Sequence, residues 1–130
     1  IPVASFRQLA KDGGFDTYVD VAIAYKHLHQ EDTLIEIGAG FGRCIEYYLQ
    51  QGHRGQITAL EQSPSLLDEL VRLFDSKIQI VATDIQDYQP AYLADAALWL
   101  WSGLLDFPKH EQEALICHIS GWLKSNGKLI

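Results

Sequence analysis

The chain has 130 residues, which is enough for one domain with its own core. Its apolar and charged fractions, 48% and 21%, are ordinary for a folded protein, and its net charge of −7 gives no general attraction to nucleic acid or anionic lipid. Two cysteines without metal-ligand or C-x-x-C spacing predict neither a disulfide framework nor a metal site. No apolar run approaches the roughly 18 residues of a membrane span and no signal peptide is visible, so we expect a cytoplasmic protein. The chain starts at Ile1 and contains no methionine, which favours a fragment of a longer protein.

Short β-branched runs alternate along the chain with longer stretches of helical period. Residues 1–12 are irregular or form a short helix, which Gly13-Gly14 ends. The elements predicted after that pair are, in chain order, a helix at 15–29, a strand at 34–37, a helix at 43–51, a strand at 57–60, a helix from Pro64 to Phe74, strands at 78–81 and 96–101, a helix at 109–123, a turn at 125–127 and a strand from Lys128.

Strands separated by helices predict an α/β fold with a mostly parallel sheet and right-handed crossovers. The strands are nearly continuous apolar runs, as a sheet covered on both faces requires. We expect one domain overall, with a helical segment at 1–30 and the sheet-containing core at 31–130. In such a sheet, ligands bind outside the carboxyl ends of the strands.

A glycine-rich loop, Gly38-Ala39-Gly40-Phe41-Gly42, follows the first predicted strand. Glycines permit positive φ and let a ligand approach the backbone, and the next helix presents free N–H groups. Such a loop alone is a weak signal, because it serves NAD, FAD and S-adenosylmethionine sites alike.

Three acids lie in or after the first three strands. Glu36 within the first strand contacts a positively charged ligand group or forms an ion pair with a residue such as Arg43. Glu61, at the end of the second strand, accepts ribose hydroxyls or is a solvated loop acid. Asp84 after the third strand, with the backbone of Ile85, contacts an adenine edge or is a helix cap.

Together these features resemble the class I methyltransferases that depend on S-adenosylmethionine. Residues 35–43 (IEIGAGFGR) resemble the first motif of that family, 58–61 (TALE) its second-strand motif, and 83–85 (TDI) its adenine-contacting motif. Residues 123–129 (LKSNGKL) resemble the family's L-K-x-G-G turn, with Asn126 in place of the first glycine.

The resemblance implies a Rossmann-like three-layer sandwich with strand order 3-2-1-4-5, here ending before the family's last two strands. It implies S-adenosyl-L-methionine as cofactor and S-adenosyl-L-homocysteine as product. The implied contacts are Glu36 with the methionyl amino group, Gly38, Ala39 and Gly40 with the cofactor through the loop backbone, Glu61 with the ribose, Gln62, Asp84 and Ile85 with the adenine, and Trp101 near the methionyl group, with Tyr18 helping to close the pocket.

The implied activity is methyl transfer to a small-molecule or protein acceptor. A nucleic-acid acceptor is disfavoured by the negative charge and by the absence of an Asn/Asp-Pro-Pro-aromatic motif after the fourth strand. No catalytic residue is predicted: Asp106 and His110 are the nearest candidate bases, but a loop acid and a first-turn helix residue are the simpler interpretations. Cys44 is interpreted as a small buried residue rather than an activated thiol.

Two alternatives remain open. An NAD-dependent oxidoreductase would carry a third glycine where Arg43 stands, so this alternative is weaker. A non-catalytic cofactor-binding or scaffold module would retain the acids without turnover. A sheet that ends at its fifth strand also leaves an edge open to pairing, which raises the hypothesis of a homodimer.

Overall fold

The fold is built on one five-stranded parallel sheet. The computed structural model describes residues 2–101 and 103–130. The strands are β1 (Leu34–Ile37), β2 (Ile57–Glu61), β3 (Gln79–Ala82), β4 (Ala94–Leu98) and β5 (Leu123–Leu129), in the order β3-β2-β1-β4-β5. The helices are α1 (Val3–Asp12), α2 (Val19–Tyr25), α3 (Arg43–Gln50), α4 (Pro64–Phe74) and α5 (Lys109–Ser120). The predicted α/β class and strand order are confirmed.

Each face of the sheet has its own apolar core. Because side chains alternate along a strand, Leu34 packs on one face with α3 and α4, and Ile35 packs on the other with α5. Tyr48 and Trp122 are the largest fully buried side chains of the two cores. Burial of one Leu or Ile side chain is worth about 1.5–3 kcal/mol. Ile45 and Leu70 on one face and Leu115 and Ile119 on the other are buried in this way and hold the helices to the sheet.

β4 lies two residues earlier than predicted. It begins at Ala94, where the backbone N–H of Thr33 donates to the Asp95 carboxylate at 2.8 Å and the Asp95 N–H donates to the Thr33 carbonyl at 2.9 Å. The strand ends at Leu98, and Trp101 adopts a left-handed backbone with φ of 74°. The prediction that Trp101 ends the strand is therefore wrong, since the chain has already left the sheet.

The turn at 125–127 is an excursion within β5 rather than a turn before it. Leu123 pairs with Ala94 and Lys128 pairs with Ala96, so residues 124–127 stand opposite Asp95 alone. The Lys124 ammonium donates to the Asp95 carboxylate at 3.0 Å, which ties the start of the extra segment to β4. The predicted strand start at Lys128 and the predicted helix end at 123 are both wrong, because the strand begins at Leu123 and α5 ends at Ser120.

The predicted helix at 15–29 is divided and shorter. A 3-10 turn covers Phe15–Thr17, Tyr18 has φ of 57°, and only Val19–Tyr25 is α-helical. A non-glycine residue in the left-handed region cannot continue a right-handed helix, so Tyr18 forces the break. The segment at 1–12, for which two alternatives were open, contains the helix α1.

Gly42 sets the approach of α3 to α4. Its φ is 90°, and a Cβ there would clash with the ring of Phe74 and lie 3.1 Å from Leu70. A side chain at this position is therefore disfavoured both by backbone strain and by lack of room.

The described part of the chain contains no membrane-spanning helix, metal-ligand cluster or disulfide. None of its helices combines the length and the apolar character needed to cross a bilayer. Within residues 2–101 and 103–130, no three His, Cys, Asp or Glu side chains gather as metal ligands would. Cys44 and Cys117 are free thiols, the first buried and the second exposed.

Candidate functional site

A cavity of about 250 Å³ opens at the carboxyl ends of the central strands. Seven of the predicted site residues line it: Gly38, Gly40, Glu61, Gln62, Asp84, Ile85 and Trp101. They come from the ends of β1, β2, β3 and β4, so the parallel sheet brings together residues that lie far apart in the sequence.

The glycine loop is braced by the Glu61 carboxylate. Gly38 and Gly40 have φ of 63° and 60°, as the sharp turn after β1 requires. Oε2 of Glu61 accepts the Gly40 N–H at 2.8 Å, and Oε1 accepts the N–H groups of Gln62 and Ser63, each at 3.0 Å. Glu61 is 9% exposed, so it is not a solvated loop acid. Its carboxylate is fixed at the rim where the loop meets β2.

Glu36 is the buried acid of β1, and it is 3% exposed. It does not form the ion pair with Arg43 that was one alternative, because the Arg43 guanidinium donates to both carboxylate oxygens of Asp20, at 2.8 and 2.6 Å. Glu36 instead accepts the Tyr48 hydroxyl at 2.8 Å. Burial raises the pKa of Glu36 to about 7, opposed by hydrogen bonds from Tyr48 and Cys44.

Glu36 faces a second, small cavity of about 30 Å³. Ala39, Phe41, Arg43 and Cys44 also line it, and it shares Gly38, Gly40, Phe6, Leu100 and Trp101 with the larger cavity. Its volume is about that of one water molecule in the liquid. The small cavity is therefore a side chamber with a carboxyl group in its wall and room for one small polar group.

The third acid, Asp84, lies on the far side of the large cavity. Its carboxylate accepts the Gln86 N–H at 2.8 Å and caps the 3-10 turn Ile85–Asp87, so the cap interpretation holds while the residue also lines the cavity. The Ile85 carbonyl oxygen lies 3.1 Å from Nε2 of His118. That contact anchors the segment after β3 to α5.

An aromatic cover, made by Phe6 of the N-terminal helix with Trp101 and Phe15, borders the site, and the part played by Phe6 was not predicted from the sequence. Phe6 of α1 lines both cavities. Its ring meets Trp101 edge-on at 5.0 Å between centroids, and Trp101 meets Phe15 in the same way at 5.0 Å. The available signal was the i, i+4 spacing of Phe6 and Ala10, which gives α1 an inward face.

Tyr18 lies outside this arrangement, although it was predicted to help close the pocket. It is not among the residues that line either cavity. Its hydroxyl donates to Oε2 of Glu46 at 2.5 Å, and that hydrogen bond and burial raise the Tyr18 pKa to about 12. Tyr18 thus joins the start of α2 to α3.

The two candidate bases are separated by the structure. Asp106, in the 3-10 turn Gly103–Asp106, lines the large cavity together with Trp99 and Phe107. His110 lies on α5 with its side chain 81% exposed and lines a different depression. Only Asp106 is therefore positioned at the site.

The sequence also matches a known protein family. The sequence model of the family described as "Methyltransferase domain" matches residues 34–127, which is well over half of the chain. Among curated proteins, the chain is similar to the "Probable ribosomal RNA small subunit methyltransferase A" of Methanosarcina mazei. The two are 34% identical over 83 residues, which is 57% of this chain and 30% of that protein.

Solved structures share the fold. DesVI of Streptomyces venezuelae superposes with a TM-score of 0.77 at 17% identity, over 98% of this chain and 54% of its own. CalS10, an amino pentose methyltransferase from Micromonospora echinaspora solved with S-adenosylmethionine bound, superposes with a TM-score of 0.69 at 23% identity, over 88% of this chain and 48% of its own. The chain thus spans about half the length of these two proteins and under a third of the archaeal relative.

Proposed function

Because this chain belongs to the methyltransferase domain family, we propose that it binds S-adenosyl-L-methionine and takes part in transfer of its methyl group, with S-adenosyl-L-homocysteine as product. The observation that carries the proposal is the placement of Glu36, Glu61 and Asp84 around one connected pair of cavities beside the glycine loop. The proposed core is 31–130, with 1–30 as its N-terminal segment.

The residues present fit this cofactor. The side chamber at Glu36 has room for one small polar group, and the carboxylate form of Glu36 would accept the methionyl ammonium there, while the Arg43 guanidinium in the same wall is paired with Asp20. An added Cβ at Gly38 would meet nothing within 4 Å, so the loop backbone there borders open space. Oε2 of Glu61 accepts only one backbone N–H, which leaves acceptor capacity for a ribose hydroxyl.

The remaining contacts follow from position. Gln62, Asp84 and Ile85 form the wall in which we place the adenine, and Ala39 and Trp101 border the methionyl end. When bound, the cofactor would supply a methyl group activated by its attachment to a sulfonium sulfur, which would leave as a neutral sulfide. The chain's own part is to hold both reactants in line and to exclude water, and Phe6 and Trp101 cover the site for that purpose.

We assign a small-molecule or protein acceptor and a cytoplasmic location. The archaeal relative is named as a ribosomal RNA methyltransferase. No Lys, Arg or His is among the described residues that line the large cavity, and the net charge is −7, which supports an acceptor other than nucleic acid. A homodimer through an outer strand is a further proposal, and light scattering that shows a monomer would remove it.

Two alternatives make different predictions. For an NAD-dependent oxidoreductase, Arg43 stands where the third glycine is needed, and its bidentate bond to Asp20 fixes it there. A non-catalytic module would bind cofactor without turnover, so an acceptor screen that follows product formation separates it from an enzyme.

Calorimetric titration with S-adenosylhomocysteine tests the cofactor. We expect micromolar binding, loss of about tenfold or more in affinity for Glu61→Ala, and no heat with NAD. Glu31→Ala is the control, because the Glu31 side chain is 66% exposed and pairs with Arg54 on the surface. Absence of binding to the folded chain, or preferential binding of NAD, would contradict the proposal.

A further inference from the structure

The end of the large cavity beyond the cofactor residues carries one acid, Asp106, to which the cofactor site gives no role. This end is formed by the segment after β4, which contributes Trp99, Asp106 and Phe107 beside the cofactor residue Trp101. Assigning it to the methyl acceptor rests on the proposed function, because the cofactor must first occupy the strand ends beside it.

Asp106 differs from the other two acids of this cavity in its partners. Glu61 accepts three backbone N–H groups and Asp84 accepts one. Across residues 2–101 and 103–130, Asp106 has neither a hydrogen-bond donor nor an ion-pair partner, and its residue is exposed. Its carboxylate is therefore available to a ligand that brings positive charge or N–H donors.

The rest of this end of the cavity suits a cation with an apolar body. Aromatic side chains line it and offer an apolar surface to the body of a ligand. None of the described lining residues is Lys, Arg or His, so no protein cation competes for the Asp106 carboxylate or repels a charged amine.

The position of Asp106 is set by packing. A Cβ on Gly103 would clash with the indole of Trp99, and the Trp99 ring meets Phe107 at 5.8 Å between centroids. The turn Gly103–Asp106 is thus held close against Trp99 at its start and by Phe107 after its end. Asp106 is presented to the cavity by a packed turn.

We propose that the methyl acceptor is an amine, that its ammonium form binds to the Asp106 carboxylate, and that Trp99 and Phe107 border its apolar part. An ammonium nitrogen must lose one proton before its lone pair is free. Water takes that proton, and the neutral nitrogen forms its bond to the methyl carbon as the carbon–sulfur bond breaks, while the Asp106 carboxylate accepts the remaining N–H groups and holds the amine in place. Asp106 thereby selects amines over alcohols of the same shape.

Cyclohexylamine and cyclohexanol form a matched pair of probes, because they differ only in the amino and hydroxyl groups. Binding of each to the chain saturated with S-adenosylhomocysteine is measured by calorimetry. We expect the amine to bind at least about tenfold more tightly than the alcohol, as a charge-assisted hydrogen bond provides.

Asp106→Asn is expected to abolish this preference while S-adenosylhomocysteine still binds. Asp68→Asn, on the exposed face of α4, makes the same change in net charge and is expected to keep the preference. Equal affinity for the two probes, no amine binding to the loaded chain, or a preference that survives Asp106→Asn would overturn the inference. Failure of S-adenosylhomocysteine itself to bind would instead overturn the proposed function, and the amine acceptor with it.

Discussion

At the scale of single residues, the most unusual group is Glu36, a carboxyl in a sheet core without a basic partner. Its hydrogen-bond donors are neutral, since Tyr48 offers a hydroxyl and Cys44 a thiol. Desolvation therefore prevails, and the pKa rises from 4.5 to about 7. Near neutral pH, a change in pH therefore shifts the balance between the carboxylic acid and the carboxylate form of Glu36.

The raised pKa of Glu36 predicts that cofactor binding depends on pH. The carboxylate form attracts an ammonium, so affinity for S-adenosylhomocysteine should rise as pH increases through about 7 and fall by up to about tenfold per unit below it. Tyr48→Phe removes a donor that lowers the Glu36 pKa, so the transition should move to higher pH. Calorimetry between about pH 5.5 and 8 measures both effects.

Tyr47→Phe is the control for that experiment. Tyr47 is the neighbouring tyrosine of α3, and its ring stacks on Tyr18 at 6.0 Å. The control should leave the pH transition where it is. An affinity that is flat across pH 7 in the unmodified chain would refute a role for Glu36 ionisation.

At the scale of elements, the junction between the glycine loop, α3 and α4 depends on Gly42. Gly42→Ala should lower the free energy of unfolding by about 2–4 kcal/mol, because it adds left-handed strain to a clash with Phe74. Gly52→Ala has a similar φ of 79°, but its Cβ would meet only the flexible Gln30 amide at 3.4 Å. It should cost about 1 kcal/mol. Urea denaturation that ranks the two variants equally would contradict this explanation.

The helix α1 contributes to the site through one ring. Phe6→Ala should weaken binding of S-adenosylhomocysteine by about tenfold, since it removes the ring that covers both cavities and packs on Trp101. Leu9→Ala on the same helix should have little effect, because Leu9 is 57% exposed. Titration calorimetry of both variants tests whether the cover acts through Phe6.

The sequence predicted the bounds of helices and strands correctly where the apolar pattern is clear. It failed where tertiary contacts determine the bounds. Helices α3 and α4 and strands β1 and β2 were located to within one residue, because apolar period and glycine or proline boundaries agree there. The start of β4 depends on a hydrogen bond between Asp95 and Thr33, and the excursion in β5 depends on pairing across the sheet. Neither contact leaves a local pattern in the sequence.

At the scale of the whole molecule, the regular topology brings together most of the residues that the family resemblance implied for the site. Once strand order 3-2-1-4-5 is known, the ends of β1, β2 and β3 must meet, and Glu36, Glu61 and Asp84 with them. The placement of Phe6 was not accessible, because it depends on how the N-terminal segment packs back across the loop. The contacts of the three acids with the cofactor, and the role of Tyr18 at the pocket, stay predictions.

The charge of the molecule gives a prediction at the same scale. With a net charge of −7, the chain should show no measurable binding to a labelled single-stranded RNA oligonucleotide, even at low salt where phosphate contacts are strongest. Fluorescence anisotropy provides the measurement. A salt-sensitive rise in anisotropy would favour an RNA acceptor, as the name of the archaeal relative suggests for that protein.

The two free thiols should differ in their reaction rates, and the slower rate reports on access to the side chamber. Cys117 is exposed and should react with a thiol reagent within the mixing time, whereas Cys44 is buried beside Glu36, with its pKa raised by burial. Cys44 also lines the chamber and is 8% exposed, so we expect it to react more slowly than Cys117. The rate at which the second equivalent of reagent is consumed then measures the access of the reagent to the chamber, and a ligand in the chamber should lower that rate.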